Sequence, residues 1–184
     1  VVWTFAIAIV VLGMSAAIFG HWLERAGPRK AGFAAAVAWG GGLIITSFGV
    51  STHQLWLIWL GAGVVGGLGL GLGYISPVST LIKWFPDRRG LATGMAIMGF
   101  GGGAMIGMPL GDSLIESYGI AQTFLTMCVI YFIAMTIGAF AYRVPANGWK
   151  PDGWTPPVKK SNSMISTNHV HVSTAHKTPQ FWLL

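Results

Sequence analysis

Long apolar stretches alternate with short polar turns along most of the chain. Five of them, at residues 2–22, 31–50, 55–82, 91–111 and 120–142, hold no Asp, Glu, Lys or Arg in their interiors. A helix needs about 20 residues to cross the hydrocarbon of a bilayer, so each stretch predicts a spanning α-helix. The third is long enough to tilt or to run past the interface. A soluble domain of 184 residues has too little interior to surround five such helices. The predicted fold class is therefore all-α, a polytopic membrane helix bundle. Residues 143–180 break the pattern with Pro145, Pro151, Pro156 and Pro157 and a polar run, and read as a connecting loop. The apolar pattern resumes at 181–184 as the start of a further spanning segment.

The placement of charge orients these helices. Arg25, Arg29 and Lys30 follow the first stretch, and Lys83, Arg88 and Arg89 follow the third. Arg143, Lys150, Lys159, Lys160 and Lys177 follow the fifth. The intervening turns, near Ser51–Gln54 and Asp112–Gly119, carry no basic residue. All 11 lysines and arginines thus fall on one side, which the positive-inside rule makes cytoplasmic. This predicts a multi-pass protein of the cell (inner) membrane, with the 143–180 loop in the cytoplasm.

Composition agrees. Hydrophobic residues make up 53% of the chain and charged residues 9%, far from the mixture of a soluble domain. The net charge of +6 lies in short clusters between apolar segments, a topological signal rather than a nucleic-acid face. Cys128 is the single cysteine, so a disulfide framework is excluded. The opening VVWTFAIAIV has no basic leader, and the closing KTPQFWLL breaks off as an apolar run begins. The expectation is a fragment of a longer membrane protein.

Two motifs narrow the class. In GHWLERAGPRK (residues 20–30), Gly20, Glu24, Arg25, Gly27 and Arg29 form a tight charged turn. It resembles the major facilitator superfamily signature Gly-x-x-x-Asp-Arg-x-Gly between the second and third helices, with Glu24 for the aspartate and Pro28 for the first basic residue. The stretch YISPVSTLIKWFPDRRGLATGMAIMGFGGGA (residues 74–104) is similar to the fourth-to-fifth-helix region of the oxalate/formate antiporter family within that superfamily. PANGWKPDGW and KTPQFWLL resemble that family's central loop and its entry to the seventh helix. On this resemblance the chain is part of the N-terminal half of a twelve-helix fold and carries helices two to six. The implied activity is secondary active transport, exchanging small organic carboxylates by alternating access. A proton-linked monocarboxylate permease or another carrier of the superfamily is the alternative, followed by a receptor or non-transporting scaffold. Implied partners are the bilayer, a small organic anion and the C-terminal half.

Candidate site residues follow. The resemblance implies a tyrosine in this helix within an aromatic cage around the carboxylate, which points to Tyr74. Ser76, Ser79 and Thr80 are weaker donors, since such hydroxyls commonly bond their own helix, and Tyr131 is a further polar aromatic. Glu24, Arg25, Arg29, Asp87 and Arg88 are expected to latch the cytoplasmic side. Gly63, Gly67 and Gly71, four residues apart, fit the small-xxx-small pattern of close helix packing. A dinucleotide loop would need a preceding strand. Gly94, Gly103, Gly107 and Pro109 are similar to the superfamily's antiporter motif, read as a gating hinge or as simple packing. Trp39, Trp56 and Trp59 read as lipid-facing or interfacial. The superfamily's proton-coupled members carry an arginine where Trp59 and Leu60 stand, and the spans hold no carboxylate that would relay protons. This argues against proton coupling through these helices. Intramembrane enzyme chemistry lacks the paired carboxylates or histidines it would need. No cofactor is implied, and His169, His171 and His176 read as a solvated linker rather than a metal site.

Overall fold

A computed structural model describes residues 2–146 and 148–151. Their regular structure is helical throughout: α1 (Val2–Ala26), α2 (Pro28–Ser51), α3 (Leu55–Trp84), α4 (Arg89–Tyr118) and α5 (Ile120–Ala141). All five are long and apolar enough to cross a membrane. The polar tail beyond Pro151, with its three histidines and the apolar run at 181–184, lies outside the described residues.

Backbone geometry sets two of the turns. Gly27 has φ of 85° and joins α1 directly to α2, where Pro28 fits the first helical position because its missing N–H has no intrahelical acceptor there. Gly119, at φ of 77°, alone separates α4 from α5. Asp112 and Glu116, expected in an external turn, therefore lie within the last turns of α4. Loss of apolar character does not end this helix; Gly119, in the left-handed region, does.

α3 is not uniform. It is α-helical over Leu55–Ile58, π-helical over Trp59–Val65 and α-helical again over Gly66–Trp84. In a straight α-helix, residues five apart point about 140° apart. The wider π turn returns them towards one face, so Gly61 and Gly66 both meet α2.

α2 is the centre of the bundle, packing against α5 and α3, while α1 packs chiefly on α3. Glycines make these approaches close. A Cβ at Gly69 would sit 2.6 Å from the Trp39 backbone nitrogen, and one at Gly61 would sit 2.7 Å from the Gly42 carbonyl oxygen. On the face towards α1, a Cβ at Gly67 would lie 2.9 Å from the Ala8 oxygen, and one at Gly71 would collide with Ser15 Oγ. α3 thus presents one glycine face to α2 and another to α1. α4 is peripheral, touching α3 and α5 and burying Ala92 alone.

Both ends are tied. Ser47 Oγ donates to the Ala121 carbonyl at 2.7 Å at one end. At the other, Arg29 Nε donates to the Tyr142 carbonyl and Trp84 Nε1 to that of Arg143, each at 2.7 Å. The turns bearing Arg29, Lys83 and Arg143 therefore gather at one basic end.

Candidate functional site

α3 and α4 carry the aromatic group nearest to the expected substrate residues. The ring of Tyr74 meets Phe100 of α4 edge-on, with centroids 5.8 Å apart. Tyr74 is half-buried and Phe100 is 51% exposed, so the pair stands on an open side of the bundle. The hydroxyls nearby are committed elsewhere. Ser76 Oγ donates to the Leu72 carbonyl at 2.8 Å, Ser79 Oγ to that of Ser76 at 3.2 Å, and Thr80 Oγ1 to that of Ser76 at 2.7 Å. Ser76 is fully buried as well. The Tyr74 phenol is the side chain of this stretch that can turn a polar group outward.

Tyr131 stands apart from Tyr74, in contact with α2 and α4. Its ring packs edge-on against Trp39 at 6.3 Å, and its hydroxyl lies 2.5 Å from where a Cβ on Gly107 would be. The Trp39 indole in turn covers Gly66 of α3, while Gly69 meets the Trp39 main chain. This departs from the expectation of a lipid-facing Trp39: the indole is packed between helices, where α3 glycines leave room for it. Trp56 is exposed, and its Nε1 donates to Gln54 Oε1 at 2.8 Å. The sequence offered no signal for the Trp39–Tyr131 pair beyond the glycines that accommodate it.

At the basic end, Asp87 and Arg88 form an ion pair at 3.6 Å just before α4, and among the described residues it is the one ion pair. Arg29 holds a backbone carbonyl rather than a carboxylate. Glu24 and Arg25 are exposed at the end of α1. A Cβ at Gly20 or Gly103 would meet nothing within 4 Å, and Pro109 lies inside α4 without ending it.

Residues 1–184 match the family model of the Major Facilitator Superfamily. The chain belongs to this superfamily. It is 29% identical over its full length to an MFS-type transporter of Escherichia coli (strain K12), YhjX, covering 43% of that protein. It is 27% identical to the oxalate:formate antiporter of Oxalobacter formigenes, over 90% of this chain and 36% of that protein. Monocarboxylate transporter 2 of Mus musculus is 31% identical over 76% of the chain and 28% of its own length. The chain thus spans less than half the length of these curated relatives.

The five helices form part of a major facilitator bundle in a multi-pass membrane transporter family. Within that bundle, the close glycine contacts hold α1, α2 and α3 together, while α4 stays lightly packed. The Tyr74–Phe100 pair bridges the tightly packed and lightly packed parts.

Proposed function

We propose that the protein is a secondary active transporter that exchanges small organic carboxylates by alternating access, with Tyr74 as a donor to the carboxylate. The observation that carries this reading is the likeness to a carrier named for oxalate and formate, over 90% of the chain. The open Tyr74–Phe100 pair supports it, since a phenol donates to a carboxylate while the rings exclude water. Transporter sites lie near the midplane between repeats, so α1 and α3 would line the cavity against helices beyond this chain. Tyr131 and Ser76 rank below Tyr74: one is packed on Trp39 and Gly107, and the other bonds its own helix. Gly67 and Gly71 serve as packing points, and Gly103, Gly107 and Pro109 as a hinge within the lightly held α4.

The likeness to monocarboxylate transporter 2 supports a second reading, a monocarboxylate permease, and proton linkage is the coupling this alternative would bring. Counterflow by the full-length protein in proteoliposomes separates the two. Uptake of labelled carboxylate only when oxalate, formate or lactate is trapped inside is the expected result. Uptake that follows an imposed pH gradient, with nothing trapped, would replace exchange by proton coupling. No flux of any carboxylate would remove the substrate class.

A further inference from the structure

The basic end of the bundle holds a feature that carboxylate exchange leaves unused. A cavity of about 420 Å³ lies between the α1–α2 turn and the residues after α5. Arg29, Lys30 and Arg143 line it with Tyr142, and no carboxylate does. Arg29 and Lys30 stand in the first turn of α2, where the peptide dipoles already leave partial positive charge. Cations there oppose the helix. Among the described residues, the one ion pair lies elsewhere, at Asp87–Arg88. The cavity therefore concentrates positive charge that no described side chain neutralises.

A second cavity of about 320 Å³ opens between α2, α3 and α5. Gly32, Ala35, Gly73, Ala134 and Gly138 form its walls, and Tyr142 lines both cavities. From Tyr142, the residue after α5, back to Ala134 the chain rises about 12 Å. The cationic mouth and the apolar cleft thus adjoin at Tyr142, whose ring lies over Gly32 beside Ala139. Pro77 has no N–H to return to the Gly73 carbonyl, and a Cβ at Gly138 would meet nothing within 4 Å.

We propose that the two adjoining cavities bind an anionic phospholipid, its phosphate against Arg29, Lys30 and Arg143 and one acyl chain in the cleft between α2, α3 and α5. Basic pockets between membrane helices suit anionic headgroups. A free phosphate would use the mouth and leave the apolar cleft empty, whereas a lipid uses both.

The test counts lipids retained by the full-length protein in native mass spectrometry, after purification with mixed phosphatidylglycerol and phosphatidylcholine. Preferential retention of phosphatidylglycerol is expected. Lys30→Gln with Arg143→Gln lowers that preference by about fivefold per charge removed. Gly138→Leu, placed in open space, weakens lipid retention while inorganic phosphate binding persists. Equal retention of both lipids by the unaltered protein overturns the proposal without any variant. Displacement of lipid by inorganic phosphate, together with no effect of Gly138→Leu, assigns the mouth to a free anion and also overturns it. The readout is lipid retention, so it stands or falls apart from the transported substrate.

Discussion

Tyr74→Phe separates binding from packing, because it keeps the ring on Phe100 and removes only the hydroxyl. A hydrogen bond to a charged group contributes about 1.5–3 kcal/mol. The expected result is a rise in KM for carboxylate exchange of about tenfold or more, with the thermal midpoint in detergent unchanged. Gly69→Val tests the opposite property. Its Cβ would meet the Trp39 nitrogen at 2.6 Å and the Ala35 oxygen at 3.0 Å, and backbone atoms yield little. Overpacking costs about 1–3 kcal/mol, so its midpoint falls, whereas Gly138→Ala, in open space, leaves it unchanged or slightly higher. The glycine faces were legible because close helix packing imposes a period on the sequence. Trp39 and Tyr131 were not, because one aromatic carries no period and its surroundings depend on which helices become neighbours.

At the scale of the element, α3 shows what a hydropathy pattern leaves out. Its length and apolar character were plain, but the π turn over Trp59–Val65 alters neither. What the turn alters is rotational phase, setting Gly61 and Gly66 on one face although they are five residues apart. Removing Val65 should restore a regular α-helix and leave Gly61 and Gly66 four residues apart, within about 40° of one another. The expected consequence is a preserved α2–α3 crossing and a thermal midpoint of the full-length protein close to that of the unaltered chain. A midpoint that falls sharply would mean that the wide turn itself, and not the phase it sets, holds this contact. The end of α4 was misplaced for a related reason: Asp112 and Glu116 break the apolar pattern, yet the backbone stays helical until Gly119.

For the whole molecule, the clustering of lysine and arginine already indicated which turns share an end, because the membrane constrains charge before packing does. The proposed latch belongs to this scale. Asp87 pairs only with its neighbour Arg88, whose side chain is 72% exposed, and such a pair contributes about 0–1 kcal/mol. Glu24→Gln with Asp87→Asn should therefore shift the ratio of inward-open to outward-open conformers of the full-length protein by only about fivefold at most, read from spin-label distances. A ratio that stays fixed removes the latch. The ties that close the bundle have a different consequence. Among the described residues, the side-chain hydrogen bonds that reach across the fold all end on main-chain oxygens: Arg29 on Tyr142, Ser47 on Ala121, Trp84 on Arg143 and Cys128 on Gly40. Every residue type supplies such an oxygen. A change at the acceptor position thus needs no matching change at the donor, and these contacts would leave no trace of paired substitution when related sequences are compared.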